Sequence, residues 1–354
     1  MAGLRETLMA TRPSWPARGL RWLLRGLSPF YAVATSLRNW AYDRQWIASR
    51  SLDIPVICVG NLTVGGTGKT PMVAWLARWL RMRGHRVAIV SRGYGQLESG
   101  QNDEALELEL RLPDVPHIQN PDRFAAGLLA QDELEMELLV LDDGFQHRRL
   151  RRDLDIVLID STDAAEAHWL LPGGLLRESW RGLRRAGVVV LTRTRLADSH
   201  NLARIERLVA RHAPQALCIH SWHAAHALRG SGSVETPIET LRDRRVLAFC
   251  GIGNPAPFFR MLEASGLLIA DQRIWPDHHA YAAQEVSELT LWAAQHPDCA
   301  AVVCTMKDWV KLQIPKLAGL PLLALEIEVV FQADDLEALE SELANIEQRA
   351  GGKS

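Results

Sequence analysis

GNLTVGGTGKTP, residues 60–71, stands between an apolar run of strand length, IPVICVG, and a stretch with helical periodicity, PMVAWLARWLRMRG. A strand, a glycine-rich loop and a helix in this order form the context in which a phosphate-binding loop occurs. The pattern G-x-x-x-x-G-K-[ST] is matched at Gly68, Lys69 and Thr70, but Thr63 stands where the pattern requires glycine. The stretch therefore predicts a nucleotide-binding P-loop that departs from the pattern at one position.

Each part of this loop has a physical task in nucleotide binding. The glycines allow backbone N–H groups to converge on phosphate oxygens, and the start of the following helix adds its positive dipole end. Lys69 is expected to neutralise charge on the β- and γ-phosphates, and the Thr70 hydroxyl is expected to bind Mg²⁺. The predicted nucleotide-binding residues of the loop are Thr63, Val64, Gly65, Gly66, Thr67, Gly68, Lys69 and Thr70.

A second segment, ELLVLDDGFQHRRL, supplies carboxylates of the kind that accompany a P-loop. Its apolar residues Leu138–Leu141 predict a strand, and Asp142 and Asp143 follow at the carboxyl end of that strand. Ligands bind at this edge of an α/β sheet. One carboxylate is expected to hold the Mg²⁺ that bridges the phosphates, and the other a water or a second ion. The alternative is a pair of acids that begins a turn before Gly144.

Apolar runs of strand length alternate with helical stretches from residue 51 onward. Continuously apolar strands with helical crossovers predict an α/β fold of the P-loop NTPase type, with a mostly parallel sheet flanked by helices. The segment AAHALRGSGSVETPIETLRDR, residues 224–244, is poor in apolar residues and contains GSGS. We therefore predict a P-loop core domain over residues 51–224 and a smaller C-terminal α/β domain over residues 225–354.

Composition limits the classes of function. The 354 residues are 47% hydrophobic and 23% charged, and the net charge of −2 gives no reason to expect nucleic acid as a partner. The five cysteines form no C-x-x-C pair, which favours free, buried thiols in a reducing compartment. No secretory signal pattern is present, so the working part of the protein is expected in the cytoplasm.

Residues 1–50 differ from the rest of the chain. They contain eight arginines, no lysine, two acidic residues and four tryptophans, and their longest uncharged run, Gly26–Leu37, has 12 residues. That run is too short to cross a bilayer, since a spanning helix needs about 20 apolar residues. Arginines interspersed with tryptophans predict a helical segment that lies at the membrane surface. The alternative is a helical pair packed on the adjacent domain with a solvated basic face.

Several segments occur in one order over most of the chain and are together specific. They are GNLTVGGTGKTP, SRGYG, DDGFQHRRLRRDLDIVLID, LLPGGLLRE, FCGIGNPAPFF and WPDHHAY. This set resembles the tetraacyldisaccharide 4'-kinase family of lipid A biosynthesis, in which threonine begins the P-loop. The resemblance implies that ATP phosphorylates the 4'-hydroxyl of a tetraacylated glucosamine disaccharide 1-phosphate. It also implies a location at the cytoplasmic face of the bacterial inner membrane.

The resemblance carries four further residues into the predicted site. Asp103, in QNDEALEL, is implied as the base for the sugar hydroxyl, although a helix cap is the simpler interpretation. His278, in WPDHHAY, matches the histidine of the family and is implied as its catalytic partner, the alternative being a solvated loop residue. Arg177 and Glu178 are implied to bind phosphate and metal, respectively, with a salt bridge at a helix start as the alternative. In CTMKDWVKL, Met306 stands where an acid is expected.

Two other classes of protein stay open at this stage. A regulatory or partitioning ATPase would favour a lysine before the Gly-Gly pair, where this chain has Val64. A membrane-peripheral nucleotide-binding scaffold would need no acids or histidines beyond the P-loop.

Overall fold

The sheet is the central element of the fold. A computed structural model describes residues 15–93, 103–164, 168–231, 235–277 and 279–351. Its helices are α1 (Trp15–Asp43), α2 (Lys69–Met82), α3 (Asp103–Arg111), α4 (Arg123–Leu128), α5 (Ser199–His212), α6 (Ala256–Ala264), α7 (Ala283–Ala294), α8 (Met306–Leu312) and α9 (Ala333–Gly351). Its strands are β1 (Val56–Asn61), β2 (Val87–Ser91), β3 (His117–Gln119), β4 (Leu138–Asp142), β5 (Leu154–Asp160), β6 (Val188–Thr192), β7 (Leu217–Arg229), β8 (Glu235–Pro237), β9 (Arg245–Cys250), β10 (Leu268–Ile274), β11 (Ala301–Thr305), β12 (Lys316–Leu317) and β13 (Leu320–Phe331). Short 3₁₀ turns cover Trp180–Arg185, Thr194–Leu196 and Ile238–Leu241, and a π-helical turn covers Leu129–Glu133.

The predicted mostly parallel sheet is confirmed. Its strand order is β10-β9-β11-β13-β7-β6-β5-β1-β4-β2-β3, with β8 on β7 and β12 on β13. Every pair along the main order is parallel except β7–β13. Strands β1, β2, β4, β5 and β6 are buried along their whole length, which is the pattern that helices on both faces of a sheet produce.

The long strand β7 joins two parts of the sheet, which we call the first wing (β1–β6) and the second wing (β9–β13). The beginning of β7 pairs with β6, and Ser221–Arg229 pairs with β13. The predicted domain boundary between residues 224 and 225 falls inside this strand. Helix α9 returns to the first wing, where Leu339 and Leu343 share a core cluster with Met72 of α2. The division of the chain into 51–224 and 225–354 stays a prediction.

Helix α2 shows how the core orients the site. Met72, Leu76 and Leu80 recur every four residues and are each fully buried, so one apolar stripe packs against the sheet. Each such burial stabilises the fold by about 1.5–3 kcal/mol. The stripe presses α2 onto the sheet and directs its first residue, Lys69, to the carboxyl edge of β1. All five cysteines are free thiols, and four of them are buried.

Helix α1 has two different faces. On the face toward the body, the Ser28 hydroxyl donates to the carbonyl of Leu170 at 2.9 Å, and the Tyr31 hydroxyl to that of Arg177 at 2.8 Å. The other face exposes large apolar side chains, and these are Trp15, Leu20, Trp22, Leu23, Leu27, Phe30, Val33, Leu37 and Trp40. Among the helices in the described ranges, none combines the length and the apolar character that a bilayer-spanning segment requires.

Candidate active site

The P-loop is held open by its own backbone geometry. Gly68 precedes helix α2 with φ of 89°, in the left-handed region, and no side chain caps the helix there. A Cβ on Gly68 would lie 2.7 Å from the ring of His223, so a larger residue would be both strained and obstructed. The amides at the start of α2 therefore have no competing side-chain partner, which suits them to an anion.

Residues at the ends of neighbouring strands form hydrogen bonds with the P-loop. The Thr67 hydroxyl accepts from the Asn61 amide at 3.1 Å, and the Thr67 carbonyl accepts from the Thr192 hydroxyl at 3.1 Å. Arg193, which forms an ion pair with Asp160, also donates to the carbonyl of Gly66 at 2.8 Å. These contacts come from β1, β5 and β6, so the loop conformation depends on three strands.

Thr63 has a structural reason to be there. It forms an antiparallel bridge with Leu176, and the neighbouring Val64 N–H donates to the Leu175 carbonyl at 2.7 Å. Thr63 is buried and extended at this point, and a β-branched residue suits such a position better than glycine does. The bridge joins the P-loop to the segment that carries Arg177, whose N–H donates to the carbonyl of Leu62.

Asp143 forms the centre of a charged cluster in front of the loop. Arg177 Nη1 lies 2.9 Å from both Asp143 carboxylate oxygens, and Lys69 Nζ lies 3.7 Å from Oδ1. Burial raises the pKa of Asp143, but Lys69 and Arg177 outweigh it and hold this pKa below its ordinary value. The structure thus brings Lys69, Asp143 and Arg177 together. Their roles toward phosphate and metal stay predictions.

Asp142 precedes Asp143 in the chain, and nearby cations offset the effect of burial on its carboxylate less than they do at Asp143. It pairs in register with Val59 of β1, just before the P-loop, and it is only 4% exposed. Its Oδ1 has no hydrogen-bond partner. Burial has the largest effect on the pKa of Asp142, and together with the negative charge of Glu104 it raises this pKa to about 7. The unpartnered oxygen of this buried carboxylate, and the hydroxyl of Thr70, which is also buried, are of the oxygen-ligand type that Mg²⁺ prefers.

Glu104 is a site residue that the sequence interpretation did not select. It begins α3 beside Asp103, and its charge acts on Asp142. The charges of Lys307, which has the larger effect, and of Lys69 hold the pKa of Glu104 below its ordinary value despite burial. In the described part of the chain, no three acidic, histidine or cysteine side chains form a ready metal cage. Mg²⁺ often binds through only one or two carboxylates plus phosphate oxygens, so a full cage is not required.

Asp103 stands at the start of α3 and is buried. Its Oδ2 lies 2.7 Å from Lys311 Nζ, which reaches it from α8. His278, the predicted partner of Asp103, lies outside the described residues. The proposed pairing of these two residues therefore stays a prediction. Met306, where an acid was expected, is a core residue with 3% exposure.

Glu178 has a structural role in its present contacts. Its two oxygens both accept from Arg185 Nη2 at 2.9 Å, and they also accept from Asn39 and Gln146. Glu178 is 2% exposed. The carboxylate thus connects α1 to the sheet through protein donors, and its role as a metal ligand stays a prediction.

A second residue missed from the sequence lies against the P-loop. His223 lies on β7. Burial, and after it the positive charge of Arg193, lowers the pKa of His223 to about 3. Its imidazole is therefore neutral at physiological pH. No local motif marks His223, because it reaches Gly68 only through the pairing of β7 with β6.

A basic cavity is lined in part by the segment that follows the acidic end of β4. Its volume is about 400 Å³, and its lining is Arg50, Pro121, Asp122, Phe124, His147 and Arg149. Burial, and after it the positive charge of Arg123, lowers the pKa of His147 to about 4. Arg123 also lowers the pKa of Asp143. The cavity and the carboxylate cluster therefore lie in the field of the same arginine.

Comparisons with known proteins agree over most of the chain. A family model described as tetraacyldisaccharide-1-P 4'-kinase, LpxK, matches residues 20–345. A tetraacyldisaccharide 4'-kinase of Pelobacter propionicus is 39% identical over 328 residues, covering 87% of this chain and 88% of the relative. That of Anaeromyxobacter dehalogenans strain 2CP-1 is 40% identical over 337 residues, covering 89% of this chain and 88% of the relative.

A solved structure matches the fold as well. LpxK from Aquifex aeolicus, crystallised in complex with ATP, superposes with a TM-score of 0.73 at 30% identity. The match covers 92% of this chain and 99% of the Aquifex chain.

Proposed function

The chain belongs to the tetraacyldisaccharide 4'-kinase family, and from this premise we propose how its site performs the reaction. The protein is an ATP-dependent lipid kinase of lipid A biosynthesis, and it phosphorylates the 4'-hydroxyl of a tetraacylated glucosamine disaccharide 1-phosphate. The observation that carries the site assignment is the convergence of Lys69, Asp143 and Arg177 in front of an uncapped helix start. Family membership favours this activity over the partitioning ATPase and the scaffold.

ATP binds with its phosphates on the P-loop. The backbone amides of residues 63–70 surround the phosphate oxygens, and Lys69 neutralises charge on the β- and γ-phosphates. Arg177 leaves its present partner, Asp143, to contact the transferred group, since the guanidinium fork can donate to two phosphate oxygens at once. Support comes from the Aquifex relative, which was crystallised with ATP.

Mg²⁺ is held by oxygen ligands at the carboxyl ends of β1 and β4. Thr70 and Asp142 are the first ligands, and Asp143 and Glu178 are further candidates. The unpartnered oxygen of buried Asp142 supports this assignment. The ion supplies neutralisation of the charge that develops on the phosphates. Glu104 adds negative charge to the same place and is an additional candidate ligand.

Asp103 accepts the proton of the acceptor hydroxyl, with His278 as its partner. The hydroxyl oxygen attacks the γ-phosphorus, its proton passes to the carboxylate, and ADP leaves. The burial of Asp103 at the start of α3, next to Glu104, supports a place near the metal. The basic cavity lined by Arg50, His147 and Arg149 supports binding of a negatively charged part of the acceptor nearby.

The protein acts at the cytoplasmic face of the bacterial inner membrane, with α1 lying in the headgroup region. Two features support this proposal: the exposed apolar face of α1, including Trp22 and Phe30, and the arginines along the same helix. The opposite face of α1 bonds to the carbonyl of Arg177 through Tyr31. A membrane contact through α1 would therefore place the site directly beside the lipid surface.

One experiment tests the activity itself. Purified protein is incubated with Mg-ATP and a tetraacyldisaccharide 1-phosphate in detergent micelles, and the lipid is analysed by mass spectrometry. We expect one added phosphate, and none with the Lys69→Ala variant as the control. A folded protein that binds ATP but leaves the lipid unchanged would contradict the proposal.

A further inference from the structure

Two lysines of α8 lie opposite two acids of α3. Lys311 Nζ is 2.7 Å from Asp103 Oδ2, and Lys307 Nζ is 3.4 Å from Glu104 Oε1. Lysines four residues apart lie on the same face of a helix, so α8 presents both ammonium groups together. Helix α3 belongs to the first wing and α8 to the second, and 203 positions separate Lys307 from Glu104. The two pairs therefore tie the wings together at the site.

The two ion pairs differ in their surroundings. The Lys311 and Asp103 side chains are 6% and 8% exposed, whereas those of Lys307 and Glu104 are 26% and 37% exposed. Water and salt screen a buried pair much less than an exposed one. Removing one member of a buried pair also leaves an uncompensated charge. Lys311 and Asp103 thus form the stronger of the two connections.

The position of Lys311 is itself fixed by its helix. Asp308 on α8 is fully buried, and it accepts from the Tyr281 hydroxyl at 2.8 Å and from the Gly251 N–H at 3.0 Å. Lys311 Nζ also donates to the carbonyl of His279 at 3.0 Å. The ammonium therefore stands at a defined point between Asp103 and the His279 carbonyl.

The choice of lysine at this point is specific. The chain has five lysines among its 40 basic residues, and Lys69, Lys307 and Lys311 all lie at this site. Buried pairs elsewhere use arginine, as in Arg185–Glu178 and Arg229–Glu326. An ammonium is a compact point charge, while a guanidinium is a planar fork. One carboxylate oxygen and one carbonyl oxygen in a buried space suit the smaller group.

We propose that Lys311 is a positioning residue for the kinase: its ammonium anchors one oxygen of Asp103 and thereby fixes where the base stands while the two wings are in contact. This inference rests on the proposed role of Asp103 as the base. Lys311 Nζ contacts Asp103 and the His279 carbonyl, and neither group belongs to the P-loop or to the predicted metal ligands. Its loss is therefore expected to change turnover rather than ATP binding.

The test uses chemical rescue of a Lys311→Ala variant in the full-length chain. We expect kcat for the lipid acceptor to fall by about 10-fold or more, because a base that is out of place loses much of its catalytic contribution. The KM for ATP should stay within about 2-fold of the original value. Propylammonium, which replaces the missing part of the side chain with its charge, should restore several-fold activity. 1-Propanol, which fills the same space without charge, should not.

Three matched variants complete the experiment. Lys316→Ala, an exposed lysine of the same wing, should keep full activity without amine. Asp103→Asn should lower kcat by about 100-fold or more, to a residual rate that can still be measured, and should not respond to propylammonium. If Lys311→Ala does not fold, Lys311→Met combined with Asp103→Asn leaves no uncompensated charge, and its kcat should equal that of Asp103→Asn alone.

The outcomes separate this inference from the proposed function. Equal rescue by 1-propanol and propylammonium would show a packing role, and an unchanged kcat in Lys311→Ala would overturn the inference directly. A double variant with lower kcat than Asp103→Asn alone would also overturn it, because Lys311 would then act apart from Asp103. Full activity of Asp103→Asn would instead remove the proposed base.

Discussion

Asp142 and Asp143 are consecutive residues whose pKa values are shifted in opposite directions. Burial raises the pKa of Asp142 to about 7, whereas Lys69 and Arg177, against the effect of burial, hold that of Asp143 below its ordinary value. The backbone separates them: Asp142 ends β4, and Asp143 adopts a left-handed conformation with φ of 52°. The pair therefore combines one carboxylate whose Oδ1 has no hydrogen-bond partner with one that contacts two cations, Lys69 and Arg177.

The first prediction concerns Asp142→Asn. Between about pH 4 and pH 7 the folded protein keeps a proton on Asp142 that the unfolded chain has released, so this group lowers stability as the pH rises through that window. Without Mg²⁺, Asp142→Asn should therefore raise the free energy of unfolding at pH 8 by at least about 1 kcal/mol. The gain should shrink toward pH 4. Urea unfolding at both pH values measures it.

Asp143→Asn is the matched control for this experiment. It removes a carboxylate that Lys69 and Arg177 stabilise, so it should lower stability at pH 8 rather than raise it. Mg-ATP should raise the melting temperature of the original protein but much less that of Asp142→Asn. A pH-independent effect of Asp142→Asn would contradict the assigned electrostatics.

The second prediction concerns Lys69. Lys69→Ala should lower turnover by about 100-fold or more, because phosphoryl transfer relies on positioning and charge neutralisation. The fold should persist, and circular dichroism and thermal unfolding check this. Steady-state kinetics with the lipid acceptor measure the loss, with Lys316→Ala as the surface-lysine control. Near-native phosphorylation by a folded Lys69→Ala protein would show that the P-loop assignment is wrong.

The third prediction concerns the left-handed glycine of the loop. Gly68→Ala should lower the free energy of unfolding by about 1–3 kcal/mol, because alanine is strained at φ of 89° and meets His223. Gly66→Ala is the matched control: a Cβ there meets nothing within 4 Å, so its effect should stay within about 0.5 kcal/mol. Equal stability of the two variants in denaturant titrations would argue against the observed loop conformation.

The fourth prediction concerns the exposed face of α1. Replacing Trp22 and Phe30 together by serine should weaken co-sedimentation with anionic liposomes, because both side chains point away from the body. Tyr31→Phe, on the inner face, should leave liposome binding unchanged. Raised salt should weaken binding of the original protein, since arginine attraction to anionic lipid is screened. Liposome binding that changes neither with the double substitution nor with raised salt would support the packed-helix alternative.

The fifth prediction concerns Asp103 and His278. Each alanine variant should lower kcat by about 100-fold or more, with little change in ATP affinity. If the two residues act as a unit, the double variant should lose much less than the product of the single losses. A double-mutant cycle on kcat decides this, and fully multiplicative losses would show that they act independently.

Local patterns were enough to predict the P-loop and the end of β4. A strand, three glycines and a lysine-threonine pair are contiguous, so their geometry follows from neighbouring residues alone. Thr63 was recognised by resemblance, and the structure adds the reason: a bridge to Leu176, more than 100 positions away. The buried, parallel strands were likewise predictable, because their apolar runs are continuous.

Residues that meet across the fold were harder to predict. Glu104 and Lys307 were not selected as site residues from the sequence, and their contact requires α3 and α8 to pack together. His223 reaches the P-loop only through β7. The resemblance implied Glu178 as a metal ligand, which stays a prediction, but no local pattern indicated that its two oxygens accept from Arg185 on the following 3₁₀ turn.

The sequence by itself determined the class of fold, the P-loop and the acidic end of β4, because these depend on hydrophobic periodicity and on contacts between close neighbours. Only the tertiary structure decided which charges compensate one another. Asp142 Oδ1 has no hydrogen-bond partner, Asp143 contacts Lys69 and Arg177, and Asp103 contacts Lys311. Electrostatic interaction depends on distance and burial, and residues far apart in the chain acquire both only when the sheet brings their helices together.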